Sequence, residues 1–190
     1  EDLLIHCIDG ETVSSGIAHA DNVAPALLGG FILVRSYEPL DILRLPIPEN
    51  LLSINVLPDY IVNTKDARDI LPKDISLTSA VKQSGNLSGF IAGLYENDFA
   101  LMGRSMVDLF AEPVRSSLIP GYDLVRQSAM DSGAIGCGIS GSGPSVFALS
   151  DSFDKANSIG NAMMNSFKKA GLESKLFISP VHTSPPIILD

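Results

Sequence analysis

The sequence is poor in the features that indicate a disulfide scaffold, a membrane span or a nucleic-acid-binding face. Its 190 residues include no tryptophan and only two cysteines, Cys7 and Cys137, which are far apart and favour free thiols in a reducing, cytoplasmic compartment. No run approaches the roughly 18 apolar residues of a membrane-spanning helix, so we expect no membrane partner. Thirteen basic residues against 22 acidic ones give a formal charge of −9, which argues against a nucleic-acid partner.

The composition and the order of apolar segments nevertheless predict a folded α+β protein. Hydrophobic residues make up 45% of the chain, enough for a core of aliphatic side chains in one domain, or one domain and part of another. From residue 51 onward the pattern predicts strand, helices, strand, strand, helix, strand. This order is typical of a ferredoxin-like split β-α-β-β-α-β domain with an antiparallel sheet. Residues 1–45 do not fit that unit and resemble the end of a preceding domain.

A loop of small residues between two short apolar runs is the most informative stretch. The runs, residues 134–139 and 145–149, are bounded by glycine and proline and predict two buried strands. The loop between them, Ser140-Gly141-Ser142-Gly143-Pro144, has no bulky side chain. Gly141 and Gly143 can adopt positive φ, so that backbone N–H groups could lie close to a phosphate. A tight glycine hairpin that binds nothing is the alternative.

A polar tetrad, His19-Ala-Asp21-Asn22, comes directly before a short apolar helix that is predicted for residues 23–28. Asp21 and Asn22 are common N-cap residues, and a helix start directs free N–H groups toward one point. Plain capping explains Asp21 or Asn22 but not His19, so a binding role stays open. Further upstream, Glu11 is an isolated acid that by itself suggests a solvated surface charge.

Residues 63–71 are predicted to form a short capped helix. Thr64 and Arg68 are four residues apart and therefore lie on one face of it. A hydroxyl and a planar guanidinium on one face could bind a carboxylate. The alternative is a surface arginine that pairs with Asp66 or Asp69.

A long apolar stripe and an isolated arginine occupy the middle of the chain. The stripe begins at Leu77 and predicts helices over residues 76–106, with a break at Asn97-Asp98. Residues 109–120 are predicted to form a loop or a broken helix. Arg115 is surrounded there by apolar residues, so it needs an acid such as Glu112 or a ligand carboxylate as a partner.

Three of these segments, together with residues 112–120, resemble the homoserine kinases of the GHMP small-molecule kinase superfamily. The segments are residues 16–30, 63–71 and 133–149, and the resemblance extends over nearly the whole chain. His-Ala-Asp-Asn-Val-Ala-Pro-Ala followed by Gly-Gly-Phe, with Ser-Gly-Ser-Gly-Pro far downstream, is much narrower than a generic glycine loop. The resemblance implies that residues 1–45 end a domain like domain 2 of ribosomal protein S5, and that residues 46–190 form the ferredoxin-like C-terminal domain.

The resemblance also implies an activity: transfer of the γ-phosphoryl group of Mg-ATP to the hydroxyl of L-homoserine, on the route to threonine. Glu11 matches the acid that helps to hold Mg²⁺, a hard cation that prefers oxygen ligands. His19, Asp21 and Asn22 match residues that face homoserine, with Asn22 near the accepting hydroxyl and Asp21 suited to the ammonium group. Because phosphoryl transfer requires mainly positioning and charge neutralisation, Asp21 as a general base is a hypothesis beside simple substrate binding.

The remaining matches concern the amino-acid end of the substrate and the phosphates. Thr64, Arg68 and Arg115 match pocket residues for the amino-acid end, and two arginines suit one carboxylate. The loop of residues 140–144 matches a superfamily motif that packs on the nucleotide phosphate loop and helps to shape the site.

One departure from the family is large. A phosphate loop of the type Pro-x-x-x-Gly-Leu-Gly-Ser-Ser-Ala does not occur in this sequence. A typical two-domain length suggests that about 110 to 130 residues are missing upstream. We therefore expect this chain alone to be inactive, with the N-terminal segment as a partner chain and a homodimer as a further expectation from the family.

Three other functions were weighed against this one. A sister kinase for mevalonate, a sugar or a related alcohol is disfavoured by Thr64, Arg68 and Arg115, because a neutral alcohol would not need that arrangement. A ferredoxin-like amino-acid-binding module without catalysis is supported by the missing phosphate loop, but it would not need a metal ligand at Glu11. An RNA-binding ferredoxin-like module is disfavoured by the acidic charge and by strands without exposed aromatic residues.

Overall fold

A computed structural model describes residues 2–15 and 20–187, which form two compact units. The first unit comprises residues Glu1–Ile47 with Val181–Asp190, and the second comprises Pro48–Pro180. Each unit has its own group of buried apolar side chains. Whether the units coincide with the two family domains proposed for residues 1–45 and 46–190 stays a prediction.

The first unit combines two helices with a two-stranded hairpin. Leu4, Ile8, Ala20 and Ala24 form its small buried core. The apolar run from Leu3 to Cys7 lies in the first of these helices. The elements are α1 (Asp2–Ser15), α2 (Val23–Leu28), β1 (Phe31–Tyr37) and β2 (Leu40–Leu45), the two strands being antiparallel.

The segment after residue 180 returns to the turn that follows α2. The Gly30 N–H donates to the His182 carbonyl at 2.7 Å. Gly29 has a φ of +71°, and a Cβ on it would lie 2.7 Å from the Ser184 carbonyl oxygen. Both the backbone conformation and the close approach therefore require glycine at position 29.

The second unit is built on a four-stranded antiparallel sheet with the spatial order β4-β5-β3-β6. The central strand β3 pairs with β5 on one side and with β6 on the other. Numbered within the unit alone, this is the order 2-3-1-4 of a ferredoxin-like sheet, which confirms the predicted fold. The strands are β3 (Leu52–Pro58), β4 (Gly136–Ile139), β5 (Val146–Ser150) and β6 (Ser174–Pro180).

Two helices, α7 and α8, cover one face of this sheet. Ile54 and Val56 of β3 alternate with more exposed neighbours, as expected of a strand with one buried face. They share a core with Ile159 and Phe167 of α8 and Val125 of α7. The helices of the unit are α3 (Thr64–Asp69), α4 (Leu77–Glu96), α5 (Phe99–Ser105), α6 (Glu112–Arg115), α7 (Tyr122–Asp131) and α8 (Phe153–Lys169), with a 3₁₀ turn at Ser116–Leu118.

The break predicted between α4 and α5 is confirmed. Asn97 ends α4 in a left-handed conformation, and the Asp98 side chain caps α5 by accepting the Leu101 N–H at 2.8 Å. The first half of the stripe on α4 is not a core face, however. Leu77 is 81% exposed, because α4 buries only its last turns against α5.

Two exclusions made from the sequence can be compared with the structure. Cys7 and Cys137 are both free, and Cys137 is buried. Within residues 2–15 and 20–187, no helix combines the length and the apolar character needed to cross a membrane.

Candidate functional site

Arg115 connects two other segments that the sequence assigns to a site. Its Nε donates to the Ala67 carbonyl at 2.9 Å, and its Nη1 donates to the Gly141 carbonyl at 3.1 Å. Ala67 belongs to α3, and Gly141 belongs to the glycine loop. Since a guanidinium carries further N–H donors, these two bonds leave part of its capacity for a ligand.

Helix α3 carries two of the predicted site residues beside the Arg115 contact. The Asn63 side chain caps the helix by accepting the Lys65 N–H at 2.8 Å, and Ala67 buries its methyl group. Thr64 is exposed and Arg68 is half-buried. The structure thus brings α3, Arg115 and the glycine loop together within the second unit.

The glycine loop adopts the predicted backbone. Gly141 has a φ of +59° and Gly143 a φ of +83°, which confirms the left-handed conformations expected of both. The Ser140 N–H donates to the Ser145 carbonyl at 2.9 Å, and the Gly143 N–H donates to the Ser140 carbonyl at 3.0 Å. These bonds close the hairpin and leave Ser140 and Gly141 exposed, with Ser142 half-buried.

Of the two partners considered for Arg115, Glu112 is excluded, because it pairs with another arginine. Oε1 of Glu112 lies 3.1 Å from Nε of Arg126 on α7, and a Cβ on Gly138 of β4 would lie 3.5 Å from its Oε2. The two side chains of α6 diverge: Arg115 extends toward α3 and the loop, whereas Glu112 faces α7 and β4. Spacing within one helical turn could not reveal a partner from another helix.

The surroundings of Glu112 shift several acid–base equilibria. Burial raises the pKa of the Glu112 carboxyl, and the Asp108 charge adds to this, while Tyr122 and Arg126 oppose it. Burial and the Glu112 charge raise the pKa of the Tyr122 hydroxyl. Burial also raises the pKa of the Cys137 thiol to about 12. Tyr122 and Cys137 are therefore neutral at physiological pH.

Asp108 fixes the start of α6, a role that the sequence analysis missed. Its carboxylate accepts the backbone N–H groups of Phe110 at 2.7 Å, Ala111 at 3.0 Å and Glu112 at 2.9 Å. The available signal was an aspartate shortly before a Glu-Pro pair, which is typical of a helix start.

The first unit holds the other predicted residues. Asp21 and Asn22 are exposed, and Glu11 of α1 is half-buried. Asn22 has helical φ and ψ, and its side chain makes no capping hydrogen bond. The Asp21 Oδ1 accepts the Asn22 N–H at 3.1 Å and does not bond to the N–H groups of α2. The interpretation of Asp21 and Asn22 as plain caps of α2 is therefore wrong. His19 lies outside the described residues. The tetrad's Ala20 N–H donates to the Tyr37 hydroxyl of β1 at 3.2 Å, a contact that the sequence did not suggest.

The donor set for a metal is sparse. Among the described residues, no three His, Cys, Asp or Glu side chains are grouped so that they could hold an ion. Mg²⁺ commonly takes only one or two protein carboxylates and completes its shell with phosphate and water oxygens. Glu11 alone fits that pattern as one ligand, and its assignment stays a prediction.

The chain resembles known proteins in sequence. Residues 90–169 match the family model described as "GHMP kinases C terminal", a stretch that includes α6, α7 and the glycine loop. The chain is 50% identical over 181 residues to homoserine kinase of Chlorobaculum tepidum, covering 94% of this chain and 56% of that relative. It is 49% identical over 181 residues to homoserine kinase of Chlorobium phaeovibrioides, covering 94% and 57%.

A solved structure extends the likeness to three dimensions. The crystal structure of homoserine kinase from Cytophaga hutchinsonii superposes with a TM-score of 0.94 at 54% identity, covering 96% of this chain and 58% of that one. The chain is therefore similar to the GHMP kinases, whose C-terminal family model matches residues 90–169. Within them, it is similar to homoserine kinases over nearly its whole length, and it spans between 56% and 58% of the length of these three relatives.

Proposed function

We propose that the protein to which this chain belongs is a homoserine kinase. It would transfer the γ-phosphoryl group of ATP to the hydroxyl of L-homoserine and form O-phospho-L-homoserine for threonine biosynthesis. The observation that carries the proposal is the convergence of α3, Arg115 and the glycine loop, in a chain that is 54% identical to a homoserine kinase of known structure.

The charges of the site suit an amino acid. Arg115 and Arg68 would bind the substrate carboxylate, because guanidinium groups match its planar geometry, and the Thr64 hydroxyl would add a hydrogen bond. In the first unit, Asp21 would bind the ammonium group, His19 would face homoserine, and Asn22 would lie near the accepting hydroxyl. Mevalonate and sugars have no ammonium group that could pair with Asp21.

The phosphoryl-transfer end requires ATP, with Glu11 as one ligand to Mg²⁺. The bound ion would neutralise charge on the phosphates of the nucleotide. Asp21 and Asn22 would orient the attacking hydroxyl, and Asp21 could also accept its proton, although a loose transition state does not demand a strong base. The backbone of Gly141 and Ser142 would support the loop that holds the phosphates.

Catalysis also requires a phosphate loop, which this sequence lacks. We infer that the remaining part of the protein supplies it and packs on an apolar groove of the first unit, about 550 Å³ in volume. The inference is supported by the exposed apolar surface of this unit, whose core is small. The groove is lined by Leu4, Ile5, Leu27, Leu28, Leu40, Ile42, Arg44 and Pro185.

An assay on two preparations tests the proposal. The chain alone and the chain combined with the phosphate-loop part of a homoserine kinase are incubated with Mg-ATP and L-homoserine, after intact mass has confirmed their composition. We expect phosphorylation only by the combined preparation. Phosphorylation of mevalonate but not homoserine would contradict the substrate assignment. Binding of homoserine without turnover in both preparations would favour an amino-acid-binding module instead.

We propose three further properties. The free thiols suit a cytoplasmic protein. A homodimer is expected from the family. Residues 1–45 are assigned to the end of the N-terminal family domain and residues 46–190 to the C-terminal one.

A further inference from the structure

Helix α6 carries Arg115 but has little apolar anchorage of its own. It is a single turn, Glu112–Arg115, and none of its residues is fully buried. Its N-terminal end is held by the Asp108 carboxylate. The segment around Asp108 is in turn held by α4, because Gln83 accepts the Leu109 N–H at 2.9 Å and Asn86 donates to the Val107 carbonyl at 3.0 Å. Polar contacts therefore fix the position of α6.

Glu112 supplies the contact on the other side of α6. Its side chain is 18% exposed, and Oε1 lies 3.1 Å from Nε of Arg126. Arg126 belongs to α7, whose Tyr122, Val125 and Ala129 are buried in the core of the unit. Glu112 therefore connects α6, which has no fully buried residue, to α7, which is packed into the core.

The pair is held mainly by charge. Within the described part of the chain, neither Nε of Arg126 nor the Tyr122 hydroxyl has a hydrogen-bond partner of standard geometry, although both are buried. Both groups lie beside the Glu112 carboxylate. Removing the carboxylate charge would leave a half-buried guanidinium without its counter-ion, which is more disruptive than loss of an exposed ion pair.

On these grounds we propose that Glu112 and Arg126 are positioning residues for Arg115. They would hold α6 so that the Arg115 guanidinium reaches Ala67 and Gly141 and presents its free N–H groups to the carboxylate of an amino-acid substrate. Neither residue would touch the substrate. The inference rests on the proposed function for the identity of that substrate, but the placement of Arg115 can be measured without it.

The same arrangement makes substrate affinity depend on pH. The groups that face Glu112 are Arg126 and Tyr122 of α7, Cys137 of β4 and Asp108 of the preceding loop. Because burial raises the pKa of Glu112, this carboxyl takes up a proton at a higher pH than an exposed glutamate does. Protonation removes the charge that attracts Arg126. The KM for the amino acid should therefore rise as the pH falls through this pKa.

Kinetic variants of the complete enzyme test the proposal. Glu112→Gln keeps the shape of the side chain and removes its charge, and Arg126→Gln removes the other partner. We expect each to raise the KM for homoserine about tenfold and to leave the KM for ATP and kcat within about twofold. Arg126→Lys, which restores a positive charge, should recover part of the loss. The acidic rise in KM should be absent from Glu112→Gln.

A matched control lies one residue further along α7. Gln127 is exposed and donates a hydrogen bond to Asp131 of its own helix, so Gln127→Ala should leave both KM values unchanged. An unchanged KM for homoserine in folded Glu112→Gln would overturn the proposal. The proposal would also be overturned if Glu112→Gln lowered kcat and raised the KM values for homoserine and for ATP by similar factors, because this would indicate general damage to the fold.

A second measurement separates this proposal from the proposed function. In the chain alone, the Arg115 Nε–H should exchange slowly with solvent, because it is bonded to the Ala67 carbonyl. Hydrogen exchange followed by ¹⁵N NMR should show at least tenfold faster exchange in Glu112→Gln and no change in Gln127→Ala. Unchanged exchange in Glu112→Gln would refute the positioning role even if homoserine is the substrate. Accelerated exchange would support that role even if homoserine is not.

Discussion

At the scale of single residues, Gly141 and Gly143 share a left-handed backbone but differ in their surroundings. A Cβ on Gly143 would lie 2.8 Å from Cδ1 of Ile119, whereas a Cβ on Gly141 would meet nothing within 4 Å. Both substitutions to alanine incur conformational strain of about 1–2 kcal/mol. Only the substitution at Gly143 adds a steric clash with a buried side chain.

We therefore predict that Gly143→Ala destabilises the chain more than Gly141→Ala, by at least about 1 kcal/mol. The measurement is urea unfolding of both variants with the parent as reference. Gly10, which has open space around it and no positive φ, provides a tolerant control as Gly10→Ala. Equal losses at positions 141 and 143 would show that Ile119 does not enclose the loop.

The two cysteines make a second contrast at this scale. Burial raises the pKa of Cys137 to about 12, and Cys7 is half-buried. Because the thiolate is the reactive form, Cys137 should be alkylated at least about tenfold more slowly than Cys7 in the native chain near pH 8. In urea the two rates should converge. Comparable native rates, read by mass spectrometry of the alkylated peptides, would contradict the burial of Cys137.

The raised pKa of Cys137 also predicts how stability depends on pH. The unfolded state releases the thiol proton at lower pH than the folded state does. The free energy of unfolding should therefore fall as the pH rises from about 9 toward 12. Cys137→Ala removes this contribution, and Cys7→Ala does not. A decline that is identical in both variants would assign the effect to other groups.

At the scale of elements, Asp108 is the clearest case of a side chain that defines a helix start. It accepts three backbone N–H groups, and two of them belong to residues that precede α6. We predict that Asp108→Ala lowers the free energy of unfolding by about 1–2 kcal/mol, while Asp108→Asn, which keeps one acceptor oxygen, loses less. Urea unfolding measures both. An Asn variant as unstable as the Ala variant would mean that the charge matters rather than the cap.

The elements also show which features could be predicted from the sequence. Local chemistry sufficed for the break between α4 and α5, since Asn97 and Asp98 act within a few residues of themselves, and for the glycine hairpin. The exposure of Leu77 could not be predicted, because periodicity identifies an apolar face but not whether another element covers it. The Glu112–Arg126 pair was missed for a related reason: its partners lie on different helices and are brought together only by the fold.

At the scale of the whole molecule, the sheet order of the second unit followed from the sequence of strands and helices, because few topologies connect them without crossings. The packing of the first unit could not be predicted from the sequence. Its core has few members, and Ile5, at 48% exposure, remains accessible on the lining of the apolar groove.

If the groove binds the part of the protein that carries the phosphate loop, Ile5→Asp should weaken that association at least about tenfold. The matched control is Leu87→Asp on α4 of the second unit, since Leu87 is 52% exposed and lies outside the groove. Titration of each variant with the separate phosphate-loop part, followed by restored phosphorylation activity, measures the effect. Equal behaviour of the two variants would place the contact elsewhere.

We propose above all that Arg115, which bonds to α3 and to the glycine loop, would recognise the carboxylate of homoserine. The most direct measurement compares kcat/KM for L-homoserine and for 3-amino-1-propanol, which lacks the carboxylate, in the complete enzyme and in its Arg115→Ala variant. The account predicts that the parent enzyme prefers homoserine by about 100-fold or more and that the variant loses most of this preference. A preference that survives Arg115→Ala undiminished would contradict the account.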